Sequence, residues 1–209
     1  MKKKKIFTMI CAINLLCAFI SCVKPGDDEF QQALKEYGKQ NYDIALDLFE
    51  QALAQESNYS KEIVYSMMAN VHIARQDFSS AVQCYQNALA EKPDYRIFCT
   101  LGALFKRIGD DVAAEKAYLD AIAFDSKRPE AYASLGALYL GKENVLPAIE
   151  LLENAKDINP KLSVVHANLA VAYAMQKNSA LAMAELSVAE QYKCENLEQF
   201  RTRVSELLQ

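Results

Sequence analysis

The side chains that most often carry chemistry are few in this chain of 209 residues and poorly spaced for it. There are two histidines, His72 and His166. No CxxC pair and no Cys/His cluster accompanies them, so a structural metal has no ligand set. The carboxylate pairs Asp27-Asp28 and Asp110-Asp111 are adjacent in the chain. Neighbours do not share a helix face, so these pairs cannot flank a substrate as acid and base. The six glycines form neither GxGxxG nor GxxxxGK[ST], which removes the usual phosphate cradles. No enzyme signature and no cofactor site is expected.

The elements that would position such side chains are helices, and they repeat. Between residues 129 and 161, Tyr132, Leu135, Gly136 and Tyr139 fall at helical spacing. Ala148, Leu152 and Ala155 do the same on a second helix, which Pro160 stops. The small residue opening the second helix recurs as Ala81, Ala114, Ala148 and Ala182, at spacings of 33, 34 and 34 residues. Four residues later stand Tyr85, Tyr118, Leu152 and Leu186, and three further on Ala88, Ala121, Ala155 and Ala189. An earlier unit shows in Tyr42, Ala45, Phe49 and Ala52, with a first helix expected over about 30–40 and a small insertion at 57–60. Paired helices approach to about 8–10 Å where one offers Gly or Ala to the other's bulky side chain.

This order of large, small and stop positions resembles the tetratricopeptide repeat, a unit of about 34 residues. The resemblance covers residues 29–194 and implies an all-α fold, a right-handed superhelical solenoid of about five helix pairs. The repeats would span about 29–60, 62–94, 95–128, 129–162 and 163–194. On this template His72 and His166 take packing positions, and Asp110-Asp111 caps the helix that follows its turn. Residues 195–209 place Leu197, Phe200, Val204, Leu207 and Leu208 on one helical face, as a capping helix would. The same helix could instead fold into the groove or be offered to a partner.

Ligands of tetratricopeptide proteins usually lie in a concave groove lined by the first helix of each repeat. Carried over, the resemblance implies a lining of Ile63, Ser66, Asn70, Ile73 and Ala74, followed by Arg96, Cys99, Ala103, Lys106 and Arg107. Glu130, Ala133, Ala137, Leu140 and Gly141 come next, then Val164, Ala167, Val171, Ala174 and Met175. The C-terminal half of this lining is apolar and suits a partner helix or an extended hydrophobic segment. Arg96, Lys106 and Arg107 lie beside it and could hold a carboxylate. The carboxylate-clamp subfamily does not fit. Asn70 matches one of its asparagines, but Ser66 stands where a lysine is required, and Glu130 and Ser134 fill later basic positions.

The N-terminus has its own chemistry. Lys2, Lys3, Lys4 and Lys5 precede an apolar run over 6–20. That run is shorter than the ~20 residues a membrane-crossing helix needs, and the layout is that of a secretory signal. It ends Phe19-Ile20-Ser21-Cys22, which resembles the lipobox of bacterial lipoproteins, although Phe19 stands where Leu is usual. The resemblance implies a signal peptide over 1–21, lipidation (palmitate-type acyl chains) of Cys22, and a polar tether over 22–28. An uncleaved anchor, or cleavage without lipid, are the alternatives. Val23 rather than Asp after the cysteine points to the outer membrane, facing the periplasm.

Loss of residues 1–21 takes four lysines from the 23 Lys+Arg, leaving 19 against 27 Asp+Glu, a net charge of about −8. That balance argues against nucleic acid and against an electrostatic grip on anionic lipid, leaving the acyl chains as the anchor. Cys84, Cys99 and Cys194 would remain, an odd number that fits free thiols better than a disulfide framework. The expected function is a lipid-anchored envelope scaffold whose groove binds a helix or peptide of another envelope protein. The alternative is a small hydrophobic ligand-binding accessory of a transporter. Partner identity and oligomeric state are not legible in the sequence.

Overall fold

The structure, a computed structural model, describes residues 24–209. The expected signal peptide over 1–21 and the expected lipidation site Cys22 lie outside the described residues. Among the described residues there are eleven α-helices and no strand. They form two compact units that divide between Pro93 and Asp94.

The first unit holds α1 (Pro25–Gly38), α2 (Tyr42–Ala54), α3 (Lys61–Ala74) and α4 (Phe78–Glu91), paired in chain order. Helix α1 begins earlier than the 30–40 expected, and takes in much of the segment read as a tether. Pro25 supplies a preset φ at the first helical position. Asp27 then accepts the Lys24 backbone N–H at 3.0 Å. The insertion at 57–60 gives the reason for the longer helix. Asp27 also accepts from Ser57 Oγ at 2.7 Å and from the Asn58 backbone N–H at 2.6 Å. Tyr59 stacks on Phe30 with ring centroids 3.9 Å apart, and Phe30 meets Phe49 edge-on. The extra residues are thus a clasp between the start of α1 and the loop after α2.

The second unit holds α5 (Tyr95–Ile108), α6 (Asp111–Phe124), α7 (Pro129–Gly141), α8 (Val145–Ile158), α9 (Ser163–Met175), α10 (Ser179–Gln191) and α11 (Leu197–Leu208). The first six pair consecutively, and α11 stands alone against α9 and α10. Its Val204 is buried with Ala170, Ala174, Ala182 and Leu186, so it does cap the last pair.

Each turn within a pair is built alike. One left-handed residue (Gln40, Gln76, Gly109, Glu143 or Lys177) closes the first helix. An Asn or Asp follows and sends its backbone N–H to the carbonyl five residues earlier, as Asp110 does to Phe105 at 2.9 Å. The same residue opens the second helix. Asp77, Asp110 and Asn178 accept the N–H of Ser80, Ala113 and Leu181 respectively. The capping role expected of Asp110 is therefore met.

Candidate interaction groove

The expected lining residues divide by environment. In the first unit Ile63 is exposed, and Ser66 returns its hydroxyl to the Glu62 carbonyl of its own helix. Asn70 is occupied: it accepts the Tyr85 hydroxyl at 2.7 Å, tying α3 to α4. It is a packing group rather than a free amide.

In the second unit Arg96 lies beside Asp94, Oδ2 to Nη2 3.4 Å, at the start of α5. Ala103, Lys106 and Arg107 are exposed further along that helix. Cys99 is half-buried, and burial pushes its thiol up from the ordinary range, as it does for Cys84 and Cys194. All three are free thiols. Glu130 faces Arg128 at 3.5 Å and the Tyr95 hydroxyl at 3.3 Å. Tyr95 in turn accepts the Ala131 N–H at 2.9 Å beneath the Arg128 guanidinium, and burial pushes its phenol up. This cluster links α5 to α7 and uses Glu130 structurally.

Ala133, Ala167 and Ala174 are buried at 6%, 0% and 0% exposure. They lie between helices, so they contribute no wetted surface; a methyl group at a narrow crossing leaves no room for a guest. Ala137 is half-buried, and Val164 is exposed near the start of α9.

Leu140, Val171 and Met175 do converge. With Gly141 they line an open hollow of about 290 Å³, and its other walls are Asn168, Gln199, Phe200 and Arg203. The hollow joins the C-terminal turns of α7 and α9 to one edge of α11. Asn168 is on α9, at a position the repeat template does not count as lining. Of its α11 walls, Phe200 belongs to the apolar face read as a cap, and Gln199 and Arg203 are missed because the rest of a cap is expected to stay in solvent. A second hollow of about 420 Å³ separates α10 from α11, between Met183, Leu186, Val204 and Leu208. Its cation is spent, since Arg201 pairs with Glu190 at 2.8 Å.

The histidines are engaged inside the fold. His72 is half-buried with Nδ1 3.2 Å from Asp77 Oδ2, and His166 is buried against Glu185 and the Pro160 carbonyl. Among the described residues no group of three or more His, Cys, Asp and Glu could hold a metal, and no helix is long and apolar enough to cross a membrane.

Comparison with solved structures decides the architecture. A tetratricopeptide repeat protein from Parabacteroides merdae superposes with a TM-score of 0.76 at 15% identity, over 87% of this chain and 72% of that one. This is a tetratricopeptide-repeat fold. YrrB, described as a tetratricopeptide protein with an unusual peptide-binding site, superposes on the repeat chain with a TM-score of 0.65 at 17% identity, over 84% and 90% of the two chains. The protein MamA superposes with 0.67 at 18% identity, over 81% and 92%. No family model matches the repeat sequence, and no curated protein does. The tetratricopeptide fold is therefore carried by spacing and small residues rather than by close sequence kinship.

Proposed function

We propose that this protein is a lipid-anchored interaction scaffold of the bacterial cell envelope, which holds a segment of another envelope protein in the groove of its second unit. The observation that carries the reading is the hollow between α7, α9 and α11. It offers Leu140, Val171, Met175 and Phe200 beside the amides of Asn168 and Gln199. Such a mixture of apolar surface and a few polar groups suits a polypeptide, whose backbone needs hydrogen bonds while its side chains need burial. The fold is shared with a peptide-binding protein, YrrB, and its stacked helix pairs are a binding architecture.

The anchor rests on the sequence ending in Ser21-Cys22, with Val23 favouring the outer membrane and its periplasmic face. Crosslinking in intact cells, with the full chain and its Val171→Glu variant, tests the scaffold. Specific envelope proteins captured by the first and lost with the second support it; identical capture by both removes the groove from the reading. Partition of Cys22→Ser into the detergent phase, unchanged from the parent, would sink the lipid anchor. The hollow is also near the lower end of small-ligand pockets, roughly 300–1,000 Å³, which keeps a small hydrophobic ligand as the second reading. A protein-free capture together with a co-purifying apolar compound would favour it.

A further inference from the structure

We propose that the hollow between α7, α9 and α11 selects a partner segment in which an apolar side chain lies next to an acidic one, with Arg203 reading the acid. This rests on the scaffold reading and adds the chemistry of the guest. The apolar floor is Leu140, Val171, Met175 and Phe200, and Gly141 adds no side chain to its rim. An open hollow of about 290 Å³ has room for a bulky apolar side chain and the residue next to it.

Arg203 is the charged residue lining this hollow, and no carboxylate lines it. Its ion pair is with Glu206, 3.8 Å away and one turn along the same exposed helix face. Such a contact holds little free energy in water and leaves the guanidinium donors free for a better acceptor. A carboxylate seated beside the apolar anchor would take two parallel hydrogen bonds from it. A cationic guest would find Arg203 and no carboxylate in the lining. On a chain whose acids outnumber its bases, an acidic guest is repelled from most of the surface and admitted here, which sets the register. The amides of Asn168 and Gln199 make no side-chain hydrogen bond within the described residues, and each can donate to and accept from a guest backbone. A free chain end carrying its own acidic side chain would need a second cation, which this lining lacks. Helix α11 is thereby both cap and reader.

The test is a library of short peptides, acetylated and amidated, with two adjacent random positions, selected on the immobilised full chain and on Arg203→Glu. The parent should enrich apolar–acidic pairs. For the best of them, Arg203→Glu should weaken binding by about tenfold or more, the factor expected for a charged hydrogen bond. Its own selection should turn to apolar–basic pairs. Because Arg203 is exposed, both proteins should melt alike. Peptides that bind both proteins equally, or that show no acidic preference, overturn the assignment of Arg203 while leaving the scaffold standing. A parent chain that enriches no peptide overturns both. Binding that requires a free terminal carboxylate in place of the acidic side chain, tried with the non-amidated peptide, also overturns the proposal.

Discussion

Gly102 of α5 faces Tyr118 of α6 so closely that a Cβ on the glycine would stand 2.5 Å from Cε1 of the ring. The same relation holds between Gly136 and Leu152, at 2.7 Å from Cγ. Tyr118 and Leu152 are buried and cannot swing away. Gly102→Ala should therefore lower the unfolding free energy by about 1–3 kcal/mol, the usual cost of overpacking. Gly38→Ala, with open space at its Cβ position, is the control and should be near neutral. Urea unfolding measures both. Combining Gly102→Ala with Tyr118→Leu should recover part of the loss, since contacting residues couple.

Acid should loosen the clasp at the start of α1. The Lys24 backbone N–H, then the Asn58 and Ser57 hydrogen bonds, hold the Asp27 carboxyl at about 2, below its ordinary 3.8. Asp77 is likewise held at about 2, chiefly by Ser80. A lowered folded-state value means the unfolded chain binds more protons between about pH 4 and pH 2. These contributions are complete above that window and are lost as the pH falls through it. Asp27→Asn should flatten the dependence of stability on pH there. An unchanged slope in urea unfolding at pH 4, 3 and 2 would count against the clasp.

His166 meets Glu185 through Nδ1 at 2.6 Å and the Pro160 carbonyl through Nε2 at 2.9 Å. Lys156 bridges the same Glu185 at 3.3 Å to Glu153, which accepts the Tyr173 hydroxyl at 3.0 Å. The network ties α8, α9 and α10 together. Glu185→Ala leaves Nδ1 of the buried imidazole without its partner and should cost about 1–3 kcal/mol. Thermal unfolding followed by circular dichroism reports it; an unshifted midpoint would mean that water takes over the role.

Gly109 is the glycine among the five left-handed turn residues, with φ of 84°. Gly109→Ala should destabilise by about 1–2 kcal/mol, because a Cβ crowds the following carbonyl in that region. At Gln76, which already bears this strain at φ 63°, a change to glycine should be neutral or stabilising. Melting temperatures check both: a drop for Gly109→Ala with none for Gln76→Gly is the expected outcome.

Much of this architecture is a local property of the chain. Helical periodicity, the 33- and 34-residue returns of Ala81, Ala114, Ala148 and Ala182, and the turn at Asp110 are written in neighbouring residues, because helices and caps are built from neighbours. What a helix presents to solvent depends instead on its rotation against the others. Ala133, Ala167 and Ala174 sit at expected lining positions, yet the helix crossings cover them. Asn70 is taken by Tyr85 from the next helix. The start of α1 lies with Asp27 because Ser57 and Asn58, some thirty residues on, supply its partners. The hollow needs Leu140, Val171 and Arg203 from three separate helices, and only their tertiary packing brings an apolar floor and an arginine to one place. The sequence by itself determined the repeat and its small-residue seams; the rotation and stacking of the helices decided which side chains a guest can reach.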